Sequence, residues 1–158
     1  MARWIEKIQG CLTQDLLKKE YREKNTTNPM FGHCYVATEV LYHLMETKNE
    51  VKPCCGKDEN GITHWWLQYR KSGKVVDVTA DQYLTKGKVP PYAKGRGTGF
   101  LTKNPSKRAK IVRRRSNINF SVFHFSSSIM QGIRNFFMKF LLKRKSFISS
   151  YLGAIYKN

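Results

Sequence analysis

Asn28-Pro29-Met30-Phe31-Gly32-His33-Cys34-Tyr35-Val36-Ala37-Thr38-Glu39-Val40-Leu41-Tyr42-His43-Leu44-Met45 reads as a loop turning into a helix, with a cysteine at the junction. A thiol there sits among unpaired backbone N–H groups at the positive end of the helix dipole, a setting that favours thiolate. From Cys34 onward, Val36, Ala37, Val40, Leu41, Leu44 and Met45 share one helical face. Tyr35, Thr38, Glu39, Tyr42 and Glu46 lie mostly on the other. The helix can therefore dock on a core while its first residue stands at the rim. The plainer alternative is that Cys34 is a small buried hydrophobe, the commoner fate of a single cysteine.

Working outward, residues 3–24 read as one amphipathic helix, with Trp4, Ile5, Ile8, Cys11, Leu12 and Leu16 at helical spacing and Gly10 as a weak point. Residues 25–29 break it. Downstream, residues 47–61 read as a polar loop. Residues 62–69 are rich in aromatic and β-branched side chains and predict a strand. Residues 74–78 predict a second, with Ser72-Gly73 as the turn between them. Thr79 and Gln82 fit a capping box that starts a short helix. Residues 86–100 are loop. Their glycines lack the Lys-Ser/Thr of a phosphate-binding loop, so the loop is expected to cover the groove near Cys34 or to let backbone pass close to it. Asn104-Pro105 then predicts an N-cap and a helix-starting proline for a helix over 105–115.

That last helix carries Lys107, Arg108, Lys110, Arg113, Arg114 and Arg115, a polyanion-binding candidate, and the charge distribution gives it weight. The chain has 29 Lys and Arg against 11 Asp and Glu, a net +18. Residues 1–81 hold 12 of the basic and all of the acidic side chains, so residues 82–158 carry +17. This asymmetry implies a polyanionic partner: nucleic acid, anionic lipid or an acidic protein. The character changes near residue 115, which divides the chain into a domain over 1–115 and a cationic amphipathic extension over 116–158. In the extension, Ser126-Ser127-Ser128 predicts a helix cap, and Ile129, Ile133, Phe136, Phe137, Phe140 and Leu141 share one face. Residues 128–145 thus fit a membrane surface, a partner protein, or packing back on the domain.

Cys11, Cys34, Cys54 and Cys55 show no disulfide-framework spacing, which fits a reducing compartment. The adjacent Cys54-Cys55 pair suits a structural zinc site poorly, so no metal and no cofactor is expected. The start of the chain lacks an apolar h-region, and no apolar run approaches the roughly 18 residues of a membrane span. A cytoplasmic location follows (host cytoplasm or virion if the protein is viral).

Chemistry enters with Cys34, His64 and Asp77, which fall in order on helix, strand and next strand. A cysteine nucleophile needs a base within hydrogen-bond reach and a third group to fix the imidazole. A two-residue Ser72-Gly73 turn sets Asp77 opposite Gln68, too far from His64. A four-residue loop over 70–73 pairs Tyr69 with Lys74 and sets Asp77 opposite Trp66. Asp77 is then the diagonal neighbour of His64, roughly 7 Å away between Cα atoms. A triad therefore predicts the longer loop. Against it stand an Asp77 that only bonds turn backbone and a His64 that is a satisfied core residue.

The pieces Asn28-Pro29-x-x-Gly32-x-Cys34-x-Val36, His64-Trp65-Trp66 and Asp77-Val78-Thr79-x-Asp81-Gln82-Tyr83 resemble the bacterial YunG family. The wider shape looks like the papain/transglutaminase-like superfamily. Residues 99–109 are similar to a stretch of small phage proteins. The resemblance covers about residues 25–110 and implies an α+β fold with a papain/transglutaminase-like core: a cysteine on a helix N-terminus packed on a small antiparallel sheet, here with a basic, largely helical C-terminal extension. It implies a cysteine-dependent acyl-transfer enzyme (peptidase, amidase, deamidase or transglutaminase-like) acting on a peptide or amide, with Cys34, His64 and Asp77 as the triad. Asn28, His33, Trp65 and Trp66 are candidates for oxyanion hole or substrate groove; His33 stands where that family commonly has Gln. The competing reading is a non-enzymatic, cationic, nucleic-acid-associated binding protein, virion-associated, on a degenerate thiol-enzyme fold.

Overall fold

Helix α3 (Cys34–Leu44) forms the centre of the fold and is buried on more of its circumference than a one-sided amphipathic helix would be. The structure, a computed structural model, describes residues 1–118. Val36, Ala37, Val40, Leu41 and Leu44 enter the core together with Ile8, Leu12, Leu16, Val51, Leu67, Val78 and Val112. Thr38 and Glu39, expected on the outer face, are also buried. Thr38 Oγ1 donates to the Trp65 carbonyl at 3.1 Å. Glu39 Oε1 and Oε2 accept from the Ser106 N–H at 2.9 Å and the Ser106 hydroxyl at 2.7 Å. A helix contacted by a sheet on one side and two helices on others has no solvent face to spare, so its polar residues become joints.

The first expected helix is two. Helix α1 (Ala2–Gln9) stops at Gly10, a tight turn spans Gln14–Leu16, and α2 (Lys19–Thr26) follows. Leu12, Leu16 and Leu17 are buried across the break, so the apolar spacing continues although the helix does not. Residues 51–57 also depart from expectation: the polar loop contains β1 (Val51–Lys57), which pairs antiparallel with β2 (Thr63–Tyr69) from Val51 opposite Tyr69 to Lys57 opposite Thr63. Pro53 disguises this strand. Its carbonyl accepts the Thr98 N–H at 2.9 Å. Because N–H and C=O of one strand residue face the same neighbour, its missing N–H points toward the short strand at Arg96–Gly97 and costs the β1–β2 ladder nothing.

Strand β3 (Val75–Val76) pairs with β2, Leu67 opposite Val76 and Gln68 opposite Val75, and the Tyr69 N–H donates to Lys74 O at 2.9 Å. This is the register of the four-residue loop; continued by one residue, it sets Asp77 opposite Trp66. After the short α4 (Asp81–Leu84), β4 (Arg96–Gly97) adds to β1, giving a four-stranded antiparallel sheet in the order β3-β2-β1-β4. The molecule is thus α+β, with helices packed on a small antiparallel sheet. Gly95 lets the loop before β4 lie against the sheet: a Cβ there would stand 2.1 Å from Trp66 Cζ2.

Helix α5 (Lys107–Arg115) is capped by Ser106, whose hydroxyl accepts the Ala109 N–H at 3.2 Å, in place of the expected Asn104. Ser116 and Ile118 are buried, and the chain divides into Met1–Ile118 and Asn119–Asn158, three residues beyond the position expected. The amphipathic segment 128–145 lies outside the described residues. No helix of the described residues is long and apolar enough to cross a membrane.

Candidate active site

The loop ahead of Cys34 is held from within. Asn25, buried in α2, donates from Nδ2 to Pro29 O at 2.9 Å and to Phe31 O at 3.0 Å. Gly32 adopts a φ of +81°, and a Cβ there would meet Leu17 Cδ2 at 3.0 Å, so both conformation and space demand glycine. The chain therefore enters α3 at a fixed angle, with Cys34 as its first residue. As that residue, Cys34 has a backbone N–H without an intrahelical acceptor. Its Sγ lies 3.7 Å from the Thr63 carbonyl oxygen at the start of β2.

His64 and Asp77 meet as the hairpin register requires. His64 Nε2 is 2.7 Å from Asp77 Oδ2, with the two side chains 0 % and 2 % exposed. Asp77 is held on every side. Oδ1 accepts the Thr79 N–H at 2.8 Å and the Thr79 hydroxyl at 3.3 Å, while Oδ2 also accepts the Tyr92 hydroxyl at 2.8 Å. Burial and the adjacent Asp77 hold the Tyr92 phenol well above its ordinary range, so it remains a donor. Burial works against a charged His64, but the hydrogen bonds to Asp77 and then to Cys34, with their negative charges, outweigh it and push the imidazole up to about 9. Nε2 faces Asp77, so a proton exchanged with Cys34 must pass through Nδ1.

Gln82 joins this constellation. Its Nε2 lies 3.2 Å from His64 Nδ1, its Oε1 is buried without a partner among the described residues, and its backbone carbonyl accepts Asn28 Nδ2 at 3.0 Å. An amide N–H facing Nδ1 suits only a neutral ring protonated on Nε2. With the ring charged, turning the amide over places Oε1 on Nδ1–H, satisfies both groups and releases Nε2 as a donor. The expected capping box is thus replaced. Thr79 bonds Asp77 and Gln82 reaches His64, while α4 has no side-chain cap. Asn28 gives one of its two amide N–H groups to the Gln82 carbonyl and so positions Gln82.

Trp65 and Trp66 separate by the alternation of the strand. Trp65, half-buried, stacks on Phe100 and meets Tyr35 edge-on at 4.9 Å, and it lines the cleft of about 470 Å³ that contains Cys34. Trp66, 1 % exposed, is core. It packs near His64 and against Tyr92, with centroids 6.0 and 5.2 Å apart. His33 lines no part of that cleft. It stands at the N-cap position of α3 without a side-chain cap bond, is fully buried, and has no partner among the described residues on either ring nitrogen. Burial, then the positive Arg108, lowers it to about 4. Neutral when folded and titrating near 6.5 when unfolded, it costs stability as pH falls. By pH 5 the loss is about 2 kcal/mol. Urea unfolding of wild type and His33→Asn at pH 6.5 and 5.0 checks this. The slope assigned to His33 should vanish in the variant, the opposite-signed His64 contribution cancelling between the two.

Of the six helix α5 cations, Arg115 pairs with Asp15 at 2.8 Å and Arg108 Nη1 donates to Leu16 O at 3.1 Å. Lys107, Lys110 and Arg114 are exposed at i, i+3, i+7 spacing, and Arg113 is exposed beside them. The sequence reading missed Gln82, Thr79 and Tyr92 as site residues. Gln82 and Thr79 stood within the Asp77–Tyr83 motif, whereas nothing in Pro90-Pro91-Tyr92 marks a partner of Asp77. No protein-family model, no curated protein and no solved structure matches the chain.

Proposed function

We propose that this protein is a cysteine-dependent acyl-transfer enzyme on a papain/transglutaminase-like core, of which the YunG-like resemblance is a part. The observation that carries the reading is the fully buried His64–Asp77 pair, with Cys34 among the groups that raise His64 and lining an open cleft. His64 Nδ1 takes the Cys34 proton, Sγ attacks the carbonyl carbon of an amide, and the π electrons move to the oxygen. The Cys34 N–H and Gln82 Nε2 donate to that oxyanion. As the C–N bond breaks, His64 Nδ1–H gives its proton to the departing amine, leaving a thioester on Cys34. Water, or an amine in a transfer reaction, then attacks the thioester. His64 takes its proton, the C–S bond breaks and the thiolate returns. Throughout, Asp77 holds Nε2–H and steadies the imidazolium.

The test is which cysteine an amide-mimicking electrophile labels, read by peptide mapping. Cys11 and Cys55 are more exposed than Cys34. Accessibility alone therefore predicts that they react first, whereas activation predicts Cys34 at least about tenfold ahead. Faster labelling of Cys11 or Cys55 sinks the proposal. The non-enzymatic, nucleic-acid-binding reading has the exposed Lys107, Lys110 and Arg114 face for support. It leaves the buried histidine–carboxylate pair without a task, so the enzyme reading is preferred.

A further inference from the structure

The geometry points to an acidic peptide as the substrate, gripped beside the reacting carbonyl by a second cleft; this rests on the acyl-transfer reading above. A cleft of about 580 Å³ adjoins the Cys34 cleft, and the two share Phe31, Ile62 and Gln82 as a common ridge. Gln82, which touches the His64 ring, therefore faces both. A chain running past Cys34 has room on either side of the nucleophile, and each cleft is of ordinary ligand size.

The floor of the larger cleft is apolar, built from Phe31, Ile62, Tyr83 and Pro91. Val89 is 83 % exposed, a large apolar side chain standing in water beside the groove. Lys24, Lys86, Lys88 and Lys94 rim it, against Asp58 and Glu59. Both carboxylates are already engaged. Asp58 Oδ1 accepts the N–H groups of Asn60 and Ile62, each at 2.9 Å, and Oδ2 accepts the Tyr83 hydroxyl at 3.1 Å. Glu59 pairs with Lys88. Lys24, Lys86 and Lys94 are exposed and in no salt bridge with a described carboxylate, and residues 119–158 contain no Asp or Glu to supply one.

The Cys34 cleft has the same sign. Lys18 and Arg108 line it and no carboxylate does. The apolar floor separates this groove from a plain phosphate-binding surface, because it rewards side chains that a nucleic-acid backbone lacks. A peptide with Glu or Asp interspersed among apolar residues meets both features. Each exposed charge pair is worth a factor of about 1.5–5, so three lysines together give roughly tenfold or more.

Two fluorescent peptidyl vinyl sulfones of equal length, one with Glu and one with Lys flanking the warhead, test this on the full chain. The Glu probe should label Cys34 at least about tenfold faster at low salt, with the ratio shrinking as salt rises. Lys24→Gln/Lys86→Gln/Lys94→Gln should bring the ratio to near one, with labelling of Cys34 by uncharged iodoacetamide as the control for an intact nucleophile. Lys107→Glu/Lys110→Glu/Arg114→Glu on α5 should leave the ratio as it was. Equal rates for the two probes, or a preference that follows the α5 variant and not the cleft variant, overturn the proposal. The same peptides without warhead, titrated by anisotropy onto Cys34→Ala, keep the two readings apart. Preferential binding of the Glu peptide without labelling ends the acyl-transfer reading alone, and labelling without preference ends the substrate assignment alone.

Discussion

Asp77→Asn is expected to slow labelling of Cys34 by an amide-like probe by roughly 10³–10⁴-fold at pH 7, the scale seen when the carboxylate of a hydrolase triad is made an amide. The reason lies in the four hydrogen bonds Asp77 accepts, from His64, Tyr92, the Thr79 N–H and the Thr79 hydroxyl. Asparagine has one acceptor oxygen. If that oxygen stays on Thr79, its NH₂ faces His64 Nε2, which then must be the unprotonated nitrogen. The ring's proton moves to Nδ1 in the neutral form, and the charged form meets a donor where it needs an acceptor. His64, now pushed up to about 9, should fall below its ordinary value. Ring-proton NMR reads that fall directly. Stability changes with it: in the wild type the raised His64 stabilises fully below about 6.5 and loses that contribution as pH rises through about 9. The variant should lack this alkaline loss. A variant that labels within tenfold of wild type, with His64 still titrating near 9, removes Asp77 from the mechanism.

Trp66→Ala carries the largest expected cost in stability, about 3–5 kcal/mol, or on the order of 15–20 °C in melting temperature for a domain of this size. Trp66 is 1 % exposed and fills the space between the sheet and the loop before β4. Gly95 exists on its account, since a Cβ there would lie 2.1 Å from its Cζ2, and a Cβ at Gly56 would press on its Cη2 at 3.2 Å as well as on the Pro91 carbonyl oxygen at 2.9 Å. No neighbour of that size stands ready to close the cavity. Tyr92 leans edge-on against the indole, so its bond to Asp77 should weaken as well. Trp66→Phe should recover part of the stability. A loss under about 1 kcal/mol on Trp66→Ala, by urea unfolding, contradicts the packing described.

The hairpin was legible because alternation and a polar turn restrict the register to few choices, and only one of them brings Asp77 to His64. The Cys34 helix was legible for the same kind of reason, a strong period next to a Pro-Gly loop. Strand β1 was not, because Lys52, Pro53, Gly56 and Lys57 match a loop in composition; the sheet tolerates them through the shortness of β4. Thr79 and Gln82 were misread because one spacing serves two purposes. Three residues apart beside a helix start, they fit a capping box, and nothing local shows that an aspartate and a histidine compete for the same side chains. Glu39 likewise matched a solvent face until Ser106, 67 residues later, came to meet it.

That buried carboxylate fixes a distance along the chain as well as a contact. Glu39 lies five residues after Cys34 on one helix and clasps the start of the cationic helix α5. One residue inserted between them would swing one end about 100° around the axis relative to the other. Cys34 would leave His64, or Glu39 would leave Ser106. Descendants of this sequence can lengthen or shorten the exposed loops, yet the number of residues from 34 to 39 admits no change.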